Sequence, residues 1–314
     1  MTKKYAFLGR LALFGTALIW GTSFVMLKSA LNDMGTLWIL AVRFSFAAAF
    51  FLLIANKKLK NMSPHLVKGS VMMGACLAAA YIVQTYGLVY TTPGKNAFLS
   101  AAYCVMVPFL AWAVYKRKPD FQKIAAAVIC FAGIGFVSLE NGFSNVNIGD
   151  ILTVCCCVFY ALQIVMMEQY IGEGDSVSVS GIEFLSGAVI CWILALIFEP
   201  APVDVPASSW LSIAYMGIVC TGLAFFLQAW GMRYTPSSTA SMLMTLEAVF
   251  GALFSVILYH ENISVKLIIG FILIFAAVLL SELGPELTVK IKRYFSGRMV
   301  GDSSGYENKE TGKA

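Results

Sequence analysis

Ten stretches of this chain are apolar for long enough to cross a lipid bilayer, which takes about 20 residues of helix. They fall near residues 11–30, 37–55, 68–90, 96–115, 122–140, 148–168, 178–198, 209–232, 238–259 and 263–283. Inside hydrocarbon the peptide groups have no water to bond, so such stretches fold as helices. Composition agrees: 59% of the 314 residues are hydrophobic, 12% are charged, and the mean hydropathy is +0.80. The expected fold class is an all-α integral membrane protein. The first span starts basic like a signal peptide, but its apolar run is long and no small-residue cleavage site follows, so it is expected to be retained. From about residue 287 the chain turns polar, and a mobile cytoplasmic tail is expected there.

The spans repeat. Residues 17–54 and 157–194 are two versions of one hairpin, offset by about 140 residues. Trp20 falls on Tyr160, Ser23 on Gln163, Arg43 on Glu183 and Phe44 on Phe184. Gln84-Thr85-Tyr86-Gly87 then meets Gln228-Ala229-Trp230-Gly231, Tyr90-Thr91 meets Tyr234-Thr235, and Lys123 meets Lys266. Five spans per copy turn the second copy upside down relative to the first. The ten transmembrane helices therefore read as two inverted five-helix repeats, 11–140 and 148–283, with the working site expected where they meet.

Charge sets the orientation. With the N-terminus inside, the cytoplasmic side receives Lys3, Lys4, Arg10, Lys57, Lys58, Lys60, Lys116, Arg117 and Lys118. It also receives Arg233 and the tail cluster Lys290, Lys292, Arg293 and Arg298, while the outer loops hold little more than Lys95 and Lys266. The inner loop at 169–177 breaks the pattern with Glu173 and Asp175. The net charge of +5 is accounted for by these inner-loop cations and calls for no nucleic acid. Both termini are placed in the cytoplasm and the protein in the cell membrane.

All eight cysteines lie inside expected spans, and no CxxC occurs. Cys155, Cys156 and Cys157 are adjacent, so on a helix they point about 100° apart and are poorly placed to share a metal. They are read as small apolar residues, and no metal or cofactor is expected.

Function is sought in the polar groups within spans, because they are expensive there. Glu247, near the middle of the ninth span, must face a wet cavity, find a partner or stay protonated. It is a candidate proton carrier or cation contact, with helix–helix pairing as the plainer reading. Arg43 and Glu183 occupy equivalent sites with opposite charge; inversion puts them in opposite leaflets, where each is expected to anchor or gate its own side. Arg43 is expected to hold nearby carbonyls or the outer gate.

Helical faces supply the other candidates. Thr16, Trp20 and Ser23 share a face of the first span, matched by Cys156, Tyr160 and Gln163 in the sixth. Tyr81 and Gln84 in the third match Phe225 and Gln228 in the eighth, and Asn96, Ser100 and Tyr103 line up in the fourth. In the ninth, Ala240, Met244, Glu247 and Gly251 share one face and Ser241 and Thr245 another; Thr245 lies about 200° from Glu247, and the Glu247 face is preferred. Aromatic planes beside single polar groups suit a small amphipathic solute. Ordinary packing of small and hydroxylated residues is the alternative. Pro108 is expected to kink the fourth span, and Pro93-Gly94 and Pro236 to act as hinges.

Several of these residues together resemble a known family. Ala17-Leu18-Ile19-Trp20-Gly21, Arg43-Phe44, Tyr103-Cys104-Val105-Met106-Val107-Pro108 before Leu110-Ala111, Thr245-Leu246-Glu247-Ala248-Val249-Phe250 and Glu261-Asn262-Ile263-Ser264 look like EamA-type members of the drug/metabolite transporter (DMT) superfamily. The resemblance covers about residues 11–283. It implies a ten-helix inner-membrane carrier working by alternating access and often exporting amino acids or other metabolites. It also implies a cavity between the third, fourth, eighth and ninth helices. Ala248 departs from a proline, His260 from a glycine, and Glu183 from the arginine of the first copy.

The expected function is a secondary transmembrane transporter of small metabolites, an exporter of amino acids or related compounds, with proton coupling through Glu247 as a hypothesis. Its partners are the small-molecule substrate and the lipid bilayer. The alternative substrate class is organic cations or drugs, which Glu247 would attract. A phosphate-bearing substrate would want several cavity cations, and only Arg43 lies well inside a span. A membrane enzyme finds little support: His65 and His260 both lie near membrane surfaces, and no nucleophile–base arrangement or P-loop occurs. A sensor without transport would have only short loops to work with. Solute flux separates the transporter from both.

Overall fold

The computed structural model describes residues 3–55, 59, 62–116, 118–139, 146–170, 175–235, 240, 243–281 and 283. Lys57, Lys58, Lys60, Arg117, Asn141, Glu173, Pro236, Ser241 and the tail from 287 lie outside the described residues, as do the side chains of Lys3 and Arg233.

The described residues form α1 (Lys3–Ala30), α2 (Thr36–Ala55), α3 (Pro64–Tyr90), α4 (Pro93–Ala101), α5 (Tyr103–Tyr115), α6 (Phe121–Ser138), α7 (Ile148–Tyr170) and α8 (Ser176–Phe198). The eighth span runs as α9 (Ala207–Tyr215), a π-helical segment (Met216–Leu223) and α10 (Ala224–Tyr234), followed by α11 (Leu246–Tyr259) and α12 (Val265–Ser281). Eight spans are long and apolar enough to cross a membrane, and the two shorter apolar helices are α11 and α12. Ten spans result, and the protein is an all-α, multi-pass membrane protein.

Contacts between the copies obey a two-fold arrangement. α2 packs on α8, the same span of each copy. α3 packs on α7 as α10 packs on α1, and α7 meets α4 and α5 as α1 meets α11. The closest approaches follow the same rule. A Cβ on Gly87 would collide with the Gly149 backbone and Thr153, and one on Gly231 with Gly9 and Leu13. Gly87 and Gly231 are repeat equivalents, as are Gly149 and Gly9. Small residues let helix backbones meet where lipid supplies no hydrophobic drive to association.

Local chemistry sets the helix ends. Ser63 and Asp175 accept the Leu66 and Ser178 amides at 3.2 Å, and Thr92 caps α4 ahead of Pro93. α5 and α11 both end on a left-handed residue, Lys116 (φ 59°) and His260 (φ 55°). His260 thus occupies a conformation that favours glycine.

The fourth and ninth spans are interrupted at Ala102 and Thr245, within one residue of equivalent positions in the repeat. The fourth span breaks six residues before the expected kink, and Pro108 lies inside α5. The Ala102 amide turns back to the Leu99 carbonyl at 3.2 Å, and the Cys157 thiol of α7 donates to the Leu99 and Ser100 carbonyls at 3.3 Å each. A break is tolerated where a neighbour supplies such partners. Cys157 therefore does more than fill space, which corrects the apolar reading of that residue; Cys156 is buried and Cys155 is exposed.

At the end of the bundle where α3 and α11 finish, Glu261 and Glu199 tie the copies together and Lys28 ties α1 to the end of α3. Glu261 accepts from the Thr92 and Ser255 hydroxyls and, at 3.0 Å, from the Gly94 amide. Glu199 accepts the Leu37 amide at 3.0 Å and the Tyr86 hydroxyl at 2.9 Å. Lys28 donates to the Leu88, Val89 and Thr91 carbonyls at 2.6–3.0 Å.

Overpacking at a close approach costs about 1–3 kcal/mol. Gly87→Val is therefore expected to lower the thermal midpoint in detergent clearly. Gly135→Ala, whose Cβ would meet nothing within 4 Å, should hold or raise it; equal losses would contradict the packing described.

Candidate functional site

A cavity of about 150 Å³ lies between the two copies. α1 contributes Trp20 and Ser23, α2 Arg43, α3 Tyr81 and Gln84, and the broken fourth span Ser100 and Tyr103. The second copy contributes Tyr160 and Gln163 from α7, Phe225 and Gln228 from α10, and Met244 and Glu247 from the ninth span. A neighbouring cavity of about 270 Å³ shares Ser100, Tyr103, Gln228, Met244 and Glu247. It continues past Cys104, Met232 and Ala240, away from the Glu261 end.

Aromatic rings build the wall. Tyr160 sits 5.5 Å from Tyr81 and 5.7 Å from Tyr103, Tyr81 meets Phe44 edge-on at 5.2 Å, and Trp20 leans on Phe225 at 5.1 Å. The polar ends of Tyr160 and Trp20 are anchored, as buried hydroxyls and indoles require. The Tyr160 hydroxyl donates to Gln84 Oε1 at 2.6 Å, and Trp20 Nε1 donates to the Cys220 carbonyl at 2.7 Å. Ser23 returns its hydroxyl to the Trp20 carbonyl and Ser100 its own to Ala97.

The charged groups differ from expectation. Arg43 Nε donates to the Thr221 hydroxyl at 2.9 Å, and the guanidinium lies 4.8 Å from the Tyr81 ring centroid. Arg43 thus holds a hydroxyl and lines the cavity, where carbonyls or an outer gate were expected. Glu183 is buried away from the cavity wall, and its Oε1 accepts from Gln163 Nε2 at 2.6 Å. Arg43 and Glu183 form no ion pair. Glu247 stands in the first turn of α11, within electrostatic reach of Arg43. Thr245 shares the wider cavity with Glu247 despite their angular separation, because the span is interrupted at Thr245.

Other expected stripe members lie elsewhere. Thr16 bonds the Ala12 and Ala224 carbonyls. Asn96 is buried between the Gln84 carbonyl and the Thr153 hydroxyl. The groups that sequence reasoning missed are Cys220 and Thr221, whose signal was a lone hydroxyl between Gly217 and Gly222 in an apolar span. Among the described residues no cluster of three His, Cys, Asp or Glu side chains is set to hold a metal.

Two like halves around cavities walled by aromatic rings and a few polar groups define a multi-pass membrane protein built from two inverted repeats. Residues 7–139 and 147–283 each match the model of the EamA-like transporter family. The chain belongs to that family and is a membrane transporter. A protein of Archaeoglobus fulgidus described as an uncharacterized transporter is 32% identical, over 90% of this chain and 87% of its own length. The uncharacterized transporter YoaV of Bacillus subtilis is 23% identical, over 86% and 95%. A solved crystal structure shares the fold with a TM-score of 0.62 at 17% identity, covering 88% of this chain and 97% of that one.

Removing one partner of a buried bonded pair costs about 1–3 kcal/mol, whereas replacing both costs less. Gln163→Leu should therefore lower the thermal midpoint more than the Gln163→Leu, Glu183→Leu double variant. Additive losses in that double-mutant cycle would mean that the two side chains are not coupled.

Proposed function

We propose that this transporter is a secondary carrier that exports small metabolites, amino acids or related compounds, by alternating access. It works in the cell membrane with both termini in the cytoplasm. The observation that carries the reading is the pair of adjoining cavities between the copies, flanked by helices interrupted at closely matching places in the repeat. Interrupted spans at a repeat interface are where carriers of this architecture bind their cargo.

With the basic loops inside, the Glu261 end faces outward and is shut by the Glu261, Glu199 and Lys28 contacts. The wider cavity runs toward Met232, near the cytoplasmic end of α10. That conformation is suited to loading cargo from the cytoplasm. Aromatic faces and glutamine amides accommodate an amphipathic solute, and Arg43 with Glu247 offers opposite charges to the two ends of a zwitterion. The same aromatic wall with Glu247 favours a second reading, export of organic cations.

Glu247 is the coupling group in this account. It lines both cavities, so a proton on it is exchanged with whichever side the cavity faces. The test is flux in proteoliposomes over amino acids, nucleobases and organic cations, with and without a pH gradient. The wild type is expected to accumulate one class only with the gradient. Glu247→Gln should lose that accumulation while still exchanging cargo across the membrane, and a variant that keeps full gradient-driven accumulation would remove the coupling role.

A further inference from the structure

The π-helical segment Met216–Leu223 has no counterpart in the first copy, where the equivalent stretch lies within the regular helix α3. Inverted symmetry therefore does not require it. Such segments leave backbone groups re-aimed, and they are frequent at functional sites. Here the re-aiming is specific. The Thr221 hydroxyl bonds back to the Met216 carbonyl at 2.9 Å, which fixes its rotamer and turns its oxygen toward α2. That oxygen receives Arg43 Nε–H, and the neighbouring Cys220 carbonyl receives Trp20 Nε1–H. Two cavity side chains of the first copy are thus anchored on one turn of the second.

For Arg43 the anchoring decides which nitrogens remain. Nε is spent on Thr221 and one face of the guanidinium is backed by Tyr81. Among the described residues neither terminal nitrogen donates a hydrogen bond, and Glu247 lies beyond ion-pair distance. The residue is buried to 2% exposure yet lines the cavity. A buried guanidinium whose outer edge is unmatched presents two parallel N–H donors, the geometry that a carboxylate accepts in bidentate fashion.

We propose that Arg43, positioned by Thr221 of the π-helical turn, binds the carboxylate of the transported solute, so that this carrier requires a carboxylate on its cargo. The proposal rests on the carrier reading above and narrows it. Thr221 acts as a positioning residue: it sets the direction of the Arg43 fork and contributes to cargo affinity through it.

The experiment uses the full chain in proteoliposomes and paired probes: phenylalanine against phenethylamine, leucine against isoamylamine, with nucleobases as carboxylate-free solutes. The wild type is expected to move at least one amino acid and to ignore its amine. Thr221→Val keeps the shape and removes the hydroxyl; it is expected to raise KM for that amino acid at least about fivefold, the net scale of one ordinary hydrogen bond felt through Arg43, with Vmax little changed. Thr221→Ser restores the hydroxyl and should recover most of the affinity, which a loss of packing alone would not allow. Arg43→Lys keeps the charge without the fork and should also raise KM. Equal transport of the amine or of a nucleobase, or a wild-type KM in monodisperse Thr221→Val, overturns the carboxylate requirement and leaves the carrier reading standing. Absence of flux for every probe with folded wild-type protein overturns the carrier reading and this inference with it.

Discussion

Hydrocarbon offers the backbone no hydrogen-bonding partner, so each interruption of a spanning helix must bring one with it. The interrupted fourth span meets that demand with the Cys157 thiol on the Leu99 and Ser100 carbonyls. The π-helical segment meets it with Trp20 on the Cys220 carbonyl and Thr221 on Met216. The partner comes from a neighbouring helix, α7 or α1, or from the irregular turn itself. The constraint that permits irregular backbone is thereby the one that assembles the site, because irregular backbone inside a membrane survives only beside polar side chains.

The architecture was legible because its signals are long. An apolar run of span length has one stable fold in a bilayer, and a motif such as Gln84-Thr85-Tyr86-Gly87 facing Gln228-Ala229-Trp230-Gly231 reports duplication directly. The aromatic and glutamine stripes were legible for the same reason, since helical spacing puts Tyr81 beside Gln84 and Tyr160 beside Gln163. Non-local contacts were not. Pro108 drew attention as a helix breaker, but the interruption settled at Ala102, where α7 supplies a donor that no local pattern announces. Arg43 was expected among carbonyls, and its partner proved to be a hydroxyl on a turn whose π geometry leaves no periodic trace.

The two copies have diverged where it matters for chemistry. Arg43 and Glu183 descend from one position in the repeat, yet Arg43 faces the cavity and Glu183 is turned into the helix interface on Gln163. The fourth and ninth spans break at matching places, but Glu247 follows the break in one and Cys104 in the other. The fold keeps the two-fold symmetry of the repeat, while the cavity is asymmetric, with Arg43 from the first copy and Glu247 from the second.

The central claim is that the Glu261 end must open for cargo to cross. A disulfide across that end tests it most directly, with Thr92→Cys and Glu261→Cys in one chain and the cross-link verified by mass spectrometry. The reduced protein should carry the solute identified in the flux panel, oxidation should stop it, and reduction should restore it. Undiminished flux through the verified cross-linked protein would contradict alternating access through this cavity.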